Sequence, residues 1–209
     1  MKQTTDFIIE CKELADLLVT LQPTDWSRLT QFENWTIEQI LTHLYFWNQL
    51  ADLALTNPDS FSEKMRTEIL PSIAKNGFRD TEDKAIAERG SELLSAWQHQ
   101  FQDMQPHWQS LDPKLRVKWA GPDMSVRSSM TSRQMEAWAH GQAIYDVLGL
   151  TRKAHDRIEN VVRLGVNTFG WSFKTHQRTV PEQMPYLVLQ LPSGKILEFG
   201  ETLVGSDTN

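Results

Sequence analysis

The sequence predicts a mainly α protein: a four-helix bundle with crossover connections, followed by a small α/β segment. Three observations carry that reading. Four stretches repeat apolar residues at helical spacing, and long connections punctuated by Pro and Gly separate them. After Thr151 the texture changes to strand-like alternation. The expected division is residues 1–150 for the bundle and 151–209 for the segment.

The first helix is expected over residues 5–20. Thr5 or Asp6 can cap it, Phe7, Cys11, Leu14, Leu18 and Leu21 recur on one face, and Pro23 ends it. The second runs from about Ile37 to Leu55, with Thr36 and Gln39 at capping-box spacing and Asn57-Pro58 as its stop. Its inward seam is Ile40, His43, Trp47, Leu50 and Ala54, in steps of 3, 4, 3 and 4. His43 therefore occupies a core position. A long connection follows over 57–80, with a short helix around Glu63–Ile69 and a turn at Asn76-Gly77.

The third helix is expected from about Thr81 to Met104, carrying Ile86, Leu93, Leu94, Trp97 and Phe101. Pro106, Pro113 and Gly121-Pro122 punctuate the second long connection. The fourth helix is expected from about Arg133 to Leu148, between Ser132 as N-cap and Gly149 as C-cap. Its inward stripe is Glu136, His140, Ala143 and Val147, so Glu136 and His140 stand one turn apart on one face. Long connections between antiparallel-capable helices fit a bundle with crossovers rather than simple hairpins. In the tail, residues 155–164 form a short amphipathic helix, Pro185–Leu191 and Ile196–Phe199 alternate as strands, and Pro192-Ser193-Gly194 turns between them. Two strands alone make no stable sheet. The tail therefore packs on the bundle, pairs with another subunit in a homodimer through edges near Val188 and Ile196, or opens a domain that it does not complete.

The formal charge of −6 argues against a nucleic-acid groove or an anionic membrane surface. No apolar run approaches the ~20 residues a membrane span needs, and no secretory leader opens the chain. Cys11 is the sole cysteine, so a reducing cytoplasm is the expected compartment. Cys11 lies on an apolar helix face, which reads as a buried inert thiol. Eight tryptophans can fill the core or wall a pocket.

His43, Glu136 and His140 place two imidazoles and a carboxylate on inward helix faces. Each alone reads as a hydrogen-bonded core histidine or an ordinary pair. Together they form a ligand set suited to a divalent ion of the zinc type, because burying an unpartnered carboxylate costs several kcal/mol. Three protein ligands without a cysteine partner imply an open coordination position. No His-Glu-x-x-His occurs, which excludes a zincin helix. No Glu-x-x-His occurs either, which disfavours a di-iron carboxylate bundle. His99, His107, His155 and His176 lack such inward company and read as surface or structural.

Trp35-Thr36-Ile37-Glu38-Gln39-Ile40-Leu41-Thr42-His43 resembles the start of the second helix in DinB-like bundle proteins, and within them the mycothiol-dependent maleylpyruvate isomerase group. Met135-Glu136-Ala137-Trp138-Ala139-His140-Gly141-Gln142 is similar to that group's fourth helix. Trp119-Ala120-Gly121-Pro122-Asp123-Met124-Ser125 resembles its pre-helix loop, and Leu164-Gly165-Val166 with Trp171-Ser172-Phe173 resembles its tail. The resemblance implies a bundle that binds a divalent metal, zinc or nickel, through His43, Glu136 and His140. It also implies a low-molecular-weight thiol such as mycothiol as co-substrate. The tail resembles the start of a sterol-carrier-protein-like domain and is expected to be incomplete.

A thiol-dependent isomerase or S-transferase acting on a small electrophilic or anionic substrate is the leading expectation. A metal-dependent hydrolase of the same fold, or a non-catalytic metal-binding, stress-response or interaction protein, stands as the alternative. Anionic substrates call for cations near the metal. Arg89, then Arg127 and Arg133, are the candidates by position, and Trp47, Trp119 and Trp138 are candidate pocket walls.

Overall fold

The computed structural model describes residues 1–201. The chain divides into two compact units, Met1–Arg152 and a second that begins at Lys153. No helix among the described residues is long and apolar enough to cross a membrane.

The first unit is mainly α. Four long helices build it: α1 (Lys2–Leu18), α2 (Ile37–Thr56), α5 (Gly90–Gln109) and α6 (Val126–Leu148), with α3 (Pro58–Lys64) and α4 (Leu70–Ala85) between α2 and α5. α1 packs on α5 and α6, and α2 packs on the same two helices. The consecutive helices α1 and α2 thus stand diagonally, as crossover connections require. The seams meet in one core. Phe7, Cys11, Leu14 and Leu18 of α1 face Leu93, Trp97, Phe101 and Trp108 of α5 and Val126, Met130 and Ile144 of α6, all buried.

Several boundaries differ from the expectation, each for a local reason. α1 starts at Lys2, so Thr5 and Asp6 lie inside it rather than capping it, Thr5 exposed and Asp6 buried. The chain from Pro58 to Ala85 is nearly all helical rather than a loop. A π turn over Met65–Ile69 joins α3 to α4, burying Met65 and Ile69. Asn57 stops α2 as expected but also caps α3, its side chain accepting from the Ser60 amide. Asn76-Gly77 does mark a break, a kink inside α4 where Gly77 takes φ 82°. That value lies in the region where only glycine is free of Cβ strain.

The expected third helix is in fact two elements. α4 ends at Ala85, Ile86–Arg89 is extended, and α5 begins at Gly90. Pro106 sits inside α5, in its last turns, rather than ending it. α6 begins two turns before Ser132; Ser125 is its N-cap, accepting from the Ser128 amide, and Ser132 bonds back to the Ser128 carbonyl. A short antiparallel pair, β1 (Arg116–Val117) with β2 (Met124–Ser125), leads into this start. Gly149 caps the other end in the left-handed conformation at φ 70°, and the Leu150 amide bonds the Tyr145 carbonyl.

The second unit holds a one-turn 3₁₀ helix (Asp156–Ile158), α7 (Glu159–Asn167), α8 (Phe169–Thr175) and the hairpin β3 (Leu187–Gln190) with β4 (Ile196–Phe199). The strands pair antiparallel from Leu187↔Phe199 to Gln190↔Ile196. Ser193 in the turn donates its amide and hydroxyl to Asp156, and Lys195 pairs with Glu159 at 2.7 Å. These contacts give the two strands the helical company that an isolated hairpin lacks. Val188 and Ile196 are exposed.

Candidate metal centre

The start of α2 is tightly specified. The Thr36 hydroxyl accepts from the Gln39 amide at 3.1 Å, and the Gln39 side chain accepts from the Thr36 amide at 3.0 Å. This capping box satisfies two free amides of the first turn. Just before it the chain doubles back. The Thr30 amide donates to the Trp35 carbonyl at 2.8 Å, across a turn where Glu33 and Asn34 take positive φ. That turn sets Phe32 and Trp35 against the end of the bundle where His43 and His140 meet. The Phe32 and His140 ring centroids are 4.7 Å apart, and Trp35 lies 5.4 Å from His43 and stacks on His140 at 6.2 Å.

α2 and α6 bring His43, Glu136 and His140 together, with one ligand atom of each within 4.8 Å of the others. Glu136 Oε2 lies 3.1 Å from His140 Nε2 and 3.5 Å from His43 Nε2. Four donors around a tetrahedral zinc ion at its usual bond lengths are separated by about 3.3 Å. The two spacings from Glu136 lie close to that value, and the donor set of two imidazole nitrogens and a carboxylate oxygen is one that zinc-type ions accept. No other group of three or more His, Cys, Asp or Glu side chains converges in this way among the described residues.

A residue that the sequence reading missed lies behind His43. Glu82 of α4 is only 2% exposed, and its Oε1 accepts from His43 Nδ1 at 2.9 Å and from Trp47 Nε1 at 2.7 Å. An ionised carboxylate only accepts, so this bond holds a proton on His43 Nδ1 and leaves Nε2 as the nitrogen that faces Glu136 and, once deprotonated, can ligate a metal. A partly visible signal existed. A core histidine and a core tryptophan one turn apart both need an acceptor. Which acidic residue supplies it depends on the kink at Gly77.

Electrostatics follow from this packing. Burial disfavours ionised Glu136, but hydrogen bonds from His140 and His43 and the Arg133 charge outweigh it and hold the carboxyl well below the usual carboxylate range. Burial likewise opposes a charged His43, yet its bonds to Glu136 and Glu82 win and raise its pKa above the ordinary value. Burial pushes the Cys11 thiol well up, which suits an inert core thiol.

The other candidate residues separate clearly. The Arg89 guanidinium is engaged with the carbonyls of Ile86, Glu88 and Asp83 and with Glu38, so it ties down the α4–α5 connection. Arg127 is exposed on the first turn of α6. Arg133 is buried and lies 4.8 Å over the Trp119 ring. Trp119 is in turn 5.5 Å from Trp47, which packs on His43 at 6.2 Å. Trp138 offers its carbonyl to Arg152, whose guanidinium also pairs with buried Glu10. Its ring touches neither imidazole among the described contacts. Phe32 and Trp35, not Trp138, flank the imidazoles.

Comparison with known proteins agrees with this picture. A family model described as the mycothiol maleylpyruvate isomerase N-terminal domain matches residues 8–145. The chain is 33% identical over 201 residues to the uncharacterized proteins MT0041 and Rv0036c of two Mycobacterium tuberculosis strains, covering 93% of this chain and 75% of each relative. No solved structure matches it. The matched span takes in α2 and α5 whole, most of α1 and α6, and all three residues of the cluster, so the chain belongs to the mycothiol maleylpyruvate isomerase N-terminal domain family, within the DinB-like superfamily.

Proposed function

We propose that this chain is a divalent-metal protein in which His43, Glu136 and His140 hold the ion, zinc or nickel, and leave one side open for a low-molecular-weight thiol. The observation that carries this reading is the convergence of two imidazole Nε2 atoms and one carboxylate oxygen with no fourth protein ligand among the described residues. When bound, the ion supplies Lewis acidity, which lowers the pKa of a thiol or water at an open position. The protein's own part is to orient the ligands. Glu82 fixes the His43 ring, and Phe32 and Trp35 brace His140.

The family's description supports a thiol-dependent isomerase or S-transferase acting on a small electrophilic or anionic substrate. In such a reaction a thiolate adds to an activated double bond and forms a C–S bond. The former double bond then rotates as a single bond, and C–S cleavage returns the thiolate. A transferase keeps the adduct instead. The test is elemental analysis of protein purified without added metal, followed by addition of thiols to the cobalt-substituted chain. About one metal per chain and a thiol-induced change in the cobalt spectrum are expected. Absence of metal after reconstitution with zinc, nickel and manganese overturns the reading. A metal whose spectrum ignores thiols leaves a metal protein and removes the thiol chemistry.

A further inference from the structure

Arg133 is 4% exposed, and its Nη1 finds no hydrogen-bond partner. A buried guanidinium normally has its donors met, because leaving a charge unpaired in the interior is costly. The Trp119 ring covers one face of it at 4.8 Å, which offsets part of that cost but pairs no N–H. Arg133 precedes Glu136 by three residues on α6, which puts the two on neighbouring positions of one helix face. The other two arginines considered from the sequence do not share these features: Arg89 is spent on carbonyls and Arg127 is exposed.

Charge counting gives this arrangement a consequence, resting on the metal reading proposed above. A divalent ion brings two positive charges. Glu136 and Glu82 return two negative ones, and the imidazoles are neutral as ligands. Without Arg133 the centre would be neutral, with no electrostatic preference at its open side. With Arg133 it carries one positive charge in excess, held in a poorly solvated interior where that charge is weakly screened. We infer that Arg133 is a specificity-determining residue that makes the open side of the centre select anionic ligands over neutral ones. A thiolate or another monoanion brings the site to neutrality, whereas a neutral donor leaves the buried charge unmatched.

The test uses the full chain loaded with cobalt, whose visible spectrum reports ligand binding without any activity assay. Azide serves as the anionic probe and imidazole as the neutral one, titrated into the wild type, Arg133→Met and Arg133→Lys. Arg133→Met should lower azide affinity by about tenfold or more while imidazole affinity stays within about twofold. Arg133→Lys, which keeps the charge, should retain most of the azide affinity. Methionine is chosen because replacing a buried charge by an apolar group of similar volume is often neutral or stabilising, so the fold should survive. Should Arg133→Met fail to fold, the lysine variant still decides, since a tenfold loss of azide affinity there overturns the role of charge. Unchanged azide affinity in Arg133→Met overturns the inference. Equal weakening of both probes, or loss of cobalt itself, overturns it too, because Arg133 would then be holding the metal ligands in place. A wild-type chain that takes up no metal at all is a different result, and it sinks the metal reading along with this one.

Discussion

His43 and Glu82 stand 39 residues apart in the chain and 2.9 Å apart in space, Nδ1 to Oε1. Trp47 shares the same oxygen at 2.7 Å. One buried carboxylate thereby orients a metal-capable imidazole and satisfies a buried indole. Partners of this kind behind a ligating histidine fix its tautomer and raise its basicity.

Replacing Glu82 should therefore act on the metal without touching it. Glu82→Gln is expected to weaken metal affinity by about 10- to 100-fold, measured by competition with a chromophoric chelator. Unchanged affinity would remove Glu82 from any role at the centre.

Loss of a ligand should be more severe. His140→Ala is expected to lose the metal on dialysis, whereas Cys11→Ser should keep full stoichiometry, because Cys11 is wholly buried in the core with an elevated pKa. Elemental analysis of both variants beside the wild type checks the pair of outcomes. Metal retained by His140→Ala would point to a different ligand set.

The cap of α2 has a stability consequence that should be separable from metal binding. Thr36→Ala removes the acceptor for the Gln39 amide and should cost about 1 kcal/mol in urea unfolding of the metal-free chain. Metal stoichiometry should remain unchanged, since His43 lies almost two turns further along the helix.

The pH dependence follows from the directions of the two shifts. The raised His43 pKa means its bonds to Glu136 and Glu82 contribute full stability below the unfolded value of about 6.5, and that contribution is lost as pH rises through the folded value. Glu136 is depressed, so its contribution is present above the unfolded value of about 4.3 and is lost as pH falls through the folded one. The site's contribution to the metal-free chain should thus be greatest between roughly pH 4.5 and 6.5. Metal affinity should run the other way at the upper edge, strengthening as pH rises and the His43 proton no longer competes. Melting curves with and without zinc across this range measure both trends. Parallel curves at every pH would contradict them.

The helical seams were legible because they depend on local periodicity. Ile40, His43, Trp47, Leu50 and Ala54 recur at the spacing of one α-helical face, and Thr36 with Gln39 announces the start of that helix. The same logic reached His43, Glu136 and His140, since inward polar residues stand out against apolar neighbours. It failed in part between Pro58 and Gly90, where it reached a short helix around Glu63–Ile69 and the break at Asn76-Gly77 but not the full extent of α3 and α4. There the residues are mostly polar, a π turn and the kink at Gly77 interrupt the regular spacing, and weak local preference is overruled by packing of α3 and α4 on α2. It failed again at the start of α6, where Ser125 rather than Ser132 meets the first free amides.

By itself the sequence determined that the chain forms a mainly helical bundle and that two imidazoles and a carboxylate point inward. Both follow from side-chain order along single helices. Tertiary structure alone decided that α4 brings Glu82 behind His43, that the 30–35 turn brings Phe32 and Trp35 against the imidazoles, and that Arg133 is buried while Arg127 is exposed. The physical reason is that each of these depends on a meeting of distant segments. Periodicity tells which way a side chain faces on its own helix, but its partner is chosen by how the helices kink, cross and pack.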